Sequence, residues 1–178
     1  MLKVLYKKNK KMKTISRIKP SLSILDYVLE LFSFLSVLGI IILFVIYWID
    51  APKIVPIHYN IYGIADRFAS KTTLIILPII SVLTYVGLTF LNQHPHIFNF
   101  PAKVTAQNIL ILYQTATRMM RWTKLFTCLL FANILWQKIR IINNHGDKLN
   151  NTSLLILIAC LMLCLIFYIV KMVKIGKK

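Results

Sequence analysis

His58, Asn60, Asp66, Arg67 and Lys71 crowd into one stretch, Pro52 to Lys71, that lies between two long apolar runs. A histidine and a carboxylate can share a proton or hold a ligand group between them. An asparagine can orient that group, and an arginine and a lysine can answer its negative charge. The same side chains also suit a self-satisfied loop. In that form Asp66 accepts from backbone amides and Lys71, while His58 and Asn60 close a hairpin. The structural role is the simpler of the two, and a rigid loop can also serve as a recognition surface.

Other chemistries find less support. His58, Asp66, His145 and Asp147 are zinc-ligand types, but no two have tight ligand spacing, so neither a metal nor another cofactor is expected. Ser70 with His58 and Asp66 has the residue types of a hydrolase triad, yet Ser70 is better used as a helix cap. The chain has no nucleophile elbow, no metalloprotease His-Glu pair and no glycine-rich phosphate loop. A non-enzymatic protein is expected. Asn150 and Asn151 match glycosylation acceptors, which decides nothing here. Asp26 and Glu30 stand one helical turn apart and would repel mildly. Arg118 or Arg121 is expected to answer them, in a solvated pairing at the membrane interface.

The elements that must position these residues follow from composition. Of 178 residues 58% are hydrophobic and 15% charged, and the mean hydropathy is +0.70. A soluble domain carries about a quarter charged residues, so an integral membrane protein is expected. Spans are read over about 29–49, 72–91, 122–142 and 153–170, within one domain (20–178) that follows a basic tail (1–19). The apolar run after that tail is a full span with no small-residue cleavage site behind it, so it reads as an uncleaved anchor. Pro52 and Pro56 lack backbone donors and favour extended geometry. Gly63 offers a positive φ, and Ser70 can cap the helix after Lys71. The simplest form of the stretch is an ordered loop, hairpin-like.

Pro78 predicts a kink in the second span. Thr105 predicts the N-cap of a helix carrying Asn108, Tyr113, Arg118, Arg121 and Lys124, amphipathic enough to lie along the bilayer before turning in. The third span is short between Lys124 and Lys138. It crosses if both lysines snorkel, with Trp122 and Trp136 at the interfaces, where Tyr47, Trp48 and Tyr168 also belong. Cys128, Cys160 and Cys164 lie in apolar runs and read as packing residues. The net charge of +17 gathers at the ends of apolar runs, without a stacking platform for nucleic acid. It attracts anionic lipid and puts both termini in the cytoplasm, with the Pro52–Lys71 loop outside. The fold class is therefore all-α, a four-helix membrane bundle with an ordered outer loop and a cytoplasmic amphipathic helix.

The pattern Pro52-x-x-x-Pro56-x-His58-Tyr59-Asn60-x-x-Gly63-x-x-Asp66-Arg67-x-x-Ser70-Lys71 resembles the membrane family called domain of unknown function 1648. That domain also stands at the front of the SdpI-like immunity proteins. A second block, Pro95-His96-x-x-Asn99-x-Pro101-x-x-Val104-Thr105-x-x-Asn108-x-x-x-x-Tyr113, is similar to the region after the second span in shorter relatives. Ala65 departs from the proline frequent in relatives, and the further helices of the longer SdpI-like proteins do not follow the fourth span. The resemblance implies a multi-pass protein of the bacterial inner membrane. In its SdpI-like branch it implies protection against a peptide toxin and signalling through a cytoplasmic regulator. An immunity or sensing role is thus the leading expectation and a small transporter or ion-handling protein the alternative, with ligand and oligomeric state left open.

Overall fold

The computed structural model describes residues 20–143 and 148–177. The basic tail (1–19) and the candidate ligands His145 and Asp147 lie outside the described residues. Four helices alternate in direction through the molecule: α1 (Ile24–Asp50), α2 (Ile76–Asn92), α3 (Ile109–Ile142) and α4 (Asn151–Gly176). Between α1 and α2 stands an antiparallel hairpin of β1 (Ile54–Tyr59) and β2 (Ala65–Ser70). Each of the four helical stretches is long and apolar enough to cross a membrane. Large apolar side chains such as Leu31, Phe34, Ile46, Val86, Phe90, Leu163 and Phe167 are exposed along their outer faces. A soluble monomer does not display apolar surface on this scale, so those faces are the lipid-facing surface of a multi-pass membrane bundle.

Local sequence sets the ends of the elements. Ser23 caps α1 through a capping box in which Asp26 bonds back to the Ser23 backbone. The helix stops at Ala51, held extended ahead of Pro52. Pro56 sits within β1, which a two-stranded sheet tolerates because both of its strands are edges. Ser70 accepts from the Thr72 amide and caps the 3-10 turn Lys71–Ile75 that leads into α2. Pro78 falls in the first turn of α2, where a missing backbone donor costs least. In place of the kink expected at Pro78 stands this 3-10 to α-helix junction just before it.

One expectation is corrected. The amphipathic segment and the third span form a single 34-residue helix with no turn between them. At 1.5 Å per residue α3 is about 50 Å long, well beyond a hydrocarbon core of about 30 Å. It is the central helix, packed against α1, α2 and α4. The polar face that seemed suited to the bilayer surface is turned inward. Thr105 and Asn108 cap each other reciprocally ahead of α3, the Thr105 amide donating to Asn108 Oδ1 at 2.8 Å. The helix itself begins at Ile109, one turn later than a Thr105 cap would place it.

Two apolar clusters hold the ends of the bundle. At the hairpin end Ile40, Tyr47 and Ala51 meet Val55, Leu74, Leu135 and Ile139, so the root of β1 is plugged into the helices. At the opposite end Leu112, Ala116 and Met172 pack with Phe98, Phe100 and Ala102 of the α2–α3 connection. At the hairpin end the Tyr59 hydroxyl is buried with no hydrogen-bond partner among the described residues. Burial, with Tyr47 adding in the same direction, pushes its pKa up to about 12. A raised phenol pKa favours the neutral form in the fold. The associated stability is whole below the unfolded phenol's pKa of about 10 and is lost as pH rises toward the folded value. Tyr59→Phe is expected to match or exceed the wild type in thermal unfolding at neutral pH, since an unsatisfied hydroxyl is removed. It should also retain stability that the wild type loses between about pH 10 and 12.

Candidate functional site

The hairpin brings His58 and Asp66 together. His58 Nδ1 lies 2.5 Å from Asp66 Oδ1, and both side chains face solvent. The register that pairs Ile54 with Ser70, Pro56 with Phe68 and Tyr59 with Ala65 sets His58 opposite Asp66; a local irregularity shifts the Cα partner of His58 to Arg67, and the two side chains still meet. Asn60 builds the turn, its side-chain oxygen accepting from the amides of Tyr62 (2.9 Å) and Ile64 (3.0 Å). Gly63 has φ 78°, and a Cβ there would lie 2.6 Å from the Leu149 carbonyl oxygen. Glycine is required at that position on both counts.

Two expected pairings differ. Asp66 takes His58 rather than Lys71. Lys71 instead donates to the Trp48 carbonyl oxygen at 3.2 Å, with its ammonium 4.9 Å from the centre of the Trp48 ring. That contact ties the base of the hairpin to the end of α1. Ser70 stands opposite Ile54 at the base, its hydroxyl engaged with Thr72, and is not brought to His58 and Asp66. The tip is held to the start of α4: Leu149 N donates to Gly63 O at 2.9 Å and Asn151 Nδ2 to Ile61 O at 2.9 Å. Asn150 caps α4, its backbone amide bonding to Gln137 Oε1 of α3. Among the described residues no three His, Cys, Asp or Glu side chains converge as metal ligands.

Across the bundle the second sequence block shapes the α2–α3 connection. Pro95 starts a short 3-10 turn, and His94 bonds to Phe90 O at 2.9 Å with His96 edge-on to it. Tyr113 stacks on Phe100. Pro101 lies in the turn before Thr105, and Asn99 borders an apolar cleft shared with Met119 and Met172. These residues fold the connection and place no reactive groups together.

The acids at the start of α1 are answered, as expected, by α3, but the pairing is buried rather than solvated. Arg118 grips Asp26 with two bonds, Nε to Oδ1 and Nη2 to Oδ2, each 3.0 Å. Arg121 Nη1 reaches Asp26 Oδ1 at 3.4 Å. Its Nε lies 3.2 Å from Glu30 Oε1, within ion-pair range but outside hydrogen-bond geometry. Asp26 is 2% exposed and Lys124 1%. Lys124 does not snorkel: Nζ donates to Glu30 Oε2 at 2.5 Å and to Thr89 Oγ1 at 2.8 Å, over the Tyr85 ring. The sequence placed Lys124 as a snorkelling lysine with no carboxylate partner and did not point to Thr89 or Tyr85. The signal for the lysine was its spacing, since Arg118, Arg121 and Lys124 recur every three residues and share a face opposite Asp26 and Glu30.

Residues 35–82 match the family model described as Domain of unknown function (DUF1648). The DUF1648 match runs from the middle of α1 through the whole hairpin into the first turns of α2, so the hairpin is its centre. An uncharacterized protein of Archaeoglobus fulgidus is 37% identical over 59 residues, which are 29% of this chain and 32% of that protein. The chain thus covers about a third of that relative's length. No solved structure matches.

Burial separates the two ion-pair sites energetically. Lys124→Ala empties a fully buried site, removes the bonds to Glu30 and Thr89 and leaves Glu30 to Arg121 alone, and should cost about 2–5 kcal/mol. Asp66→Asn breaks a solvent-facing pair and should cost less than about 1 kcal/mol. Unfolding of the detergent-solubilised variants checks that order.

Proposed function

We propose that this DUF1648 protein is a non-enzymatic recognition protein of the cell membrane whose hairpin engages a membrane-active peptide or another envelope ligand. One observation carries the reading: the hairpin is clamped at base and tip, yet its chemistry points away from the protein. Ile61 and Tyr62 at the tip are 82% and 70% exposed, beside the accessible His58–Asp66 pair. A loop needed only to connect α1 and α2 gains nothing from presenting these groups on a fixed frame. A binding loop gains a preorganised surface. Its apolar tip suits a partner that itself partitions into the interface.

The SdpI-like resemblance of the same residues supports an immunity or sensing role. In that role a peptide toxin would be met outside and a cytoplasmic regulator would read the basic inner face. The concentration of positive charge in the tail and at the C-terminal end of the chain (Lys171, Lys174, Lys177 and Lys178) supports termini in the cytoplasm and the hairpin outside. A second reading, a small ion-handling or transport protein, is favoured by ionisable side chains inside membrane-spanning helices. Against it, both carboxylates of that cluster are already ion-paired.

The test uses cells made sensitive to a membrane-active peptide and protected by the wild-type chain. His58→Ala and Asp66→Ala remove exposed side chains without touching the clamps, whereas Asn60→Ala also dismantles the turn. Loss of protection at normal membrane levels is expected for all three. Unchanged protection in His58→Ala and Asp66→Ala would contradict the proposed recognition surface.

A further inference from the structure

At the end of the bundle far from the hairpin, a cleft of about 200 Å³ is lined by Pro20, Leu22, Asn92, Gln93, Pro95 and Arg121. Arg121 is 7% and Asn92 8% exposed. A guanidinium carries five donors. Among the described residues Arg121 makes a single hydrogen bond, the 3.4 Å contact to Asp26, and its Nε has none. The Asn92 side-chain oxygen is also without a partner. The charge around it is unbalanced: among the described residues Arg118, Arg121 and Lys124 pair with two carboxylates, Asp26 and Glu30. A low-dielectric site holding three cations against two carboxylates is completed by one more anion. The guanidinium fork matches the planar spacing of phosphate oxygens.

We propose that this cleft binds a phosphate group, with Arg121 as its donor, and that the occupant is the headgroup phosphate of an anionic lipid. The cleft lies at the terminal turns of α1 and α2, where headgroups meet a spanning bundle. The tail just before Pro20 cannot serve instead, because Met1 to Lys19 carries eight basic side chains and no acid. It would be repelled by Arg121 and would draw anionic lipid toward the opening.

The experiment measures thermal unfolding of the full chain in an alkyl maltoside with added phosphatidylglycerol, phosphatidylcholine or inorganic phosphate. Phosphatidylglycerol at saturation is expected to raise the midpoint of the wild type by at least about 5 °C. Gln93→Trp and Leu22→Trp fill the cleft from opposite walls without entering the ion pairs. Each should keep the wild-type midpoint in detergent alone and lose most of the rise. A rise with inorganic phosphate alone supports the phosphate site and reassigns its occupant to a free anion. An equal rise with phosphatidylcholine, a full rise in whichever tryptophan variant folds, or no rise with any additive overturns the proposal.

Discussion

Asp26 and Glu30 on α1, answered by Arg118, Arg121 and Lys124 on α3, fix which face of the longest helix looks inward, and the remaining packing follows from that choice. Lipid tails are as apolar as leucine, so helices in a membrane gain little from burying apolar surface against one another. A charge left facing hydrocarbon costs far more than one facing its opposite inside the bundle. Once α3 turns its three cations toward α1, its other flanks take α2 and α4. Thr89 and Tyr85 then bring α2 to the same ammonium, so three helices close around one charged layer.

The molecule is polarised about that layer. One end is a salt-bridged region with a small cationic cleft. The other is a β-hairpin held by Lys71 on Trp48 and by Leu149 on Gly63. The clamps at the hairpin use backbone groups and the side chains of Lys71 and Asn151, which leaves the His58–Asp66 pair and the apolar tip out of them. In physical terms the charged end specifies the architecture and the hairpin end offers a surface. That division agrees with a family match whose centre is the hairpin.

Much of this was legible in the residues. Four apolar runs, a proline-flanked turn with a glycine needing positive φ, and a serine cap after β2 read correctly because each depends on local chemistry. So did the partnership of Asp26 with α3, since two acids one turn apart in an apolar chain demand an answer. What failed was the environment of α3. Its stretch from Arg118 to Lys124 has the pattern of a helix lying at the interface, and that pattern is the same whether the polar face meets headgroups or buried carboxylates. Only the tertiary partner distinguishes them. The His58–Asp66 contact follows from the register that pairs Ile54 with Ser70 and Tyr59 with Ala65, which sets the two residues opposite each other. What neither residue type announces is the local slip that hands the Cα pairing of His58 to Arg67.

The charged layer between α1 and α3 organises the bundle. The most direct measurement is a double-mutant cycle on Asp26 and Arg118, using Asp26→Asn, Arg118→Gln and the double variant, read by equilibrium unfolding in detergent. A coupling of about 1–3 kcal/mol, with the double variant less damaged than the sum of the singles, is predicted. Single effects that add to within about 0.5 kcal/mol would contradict the account.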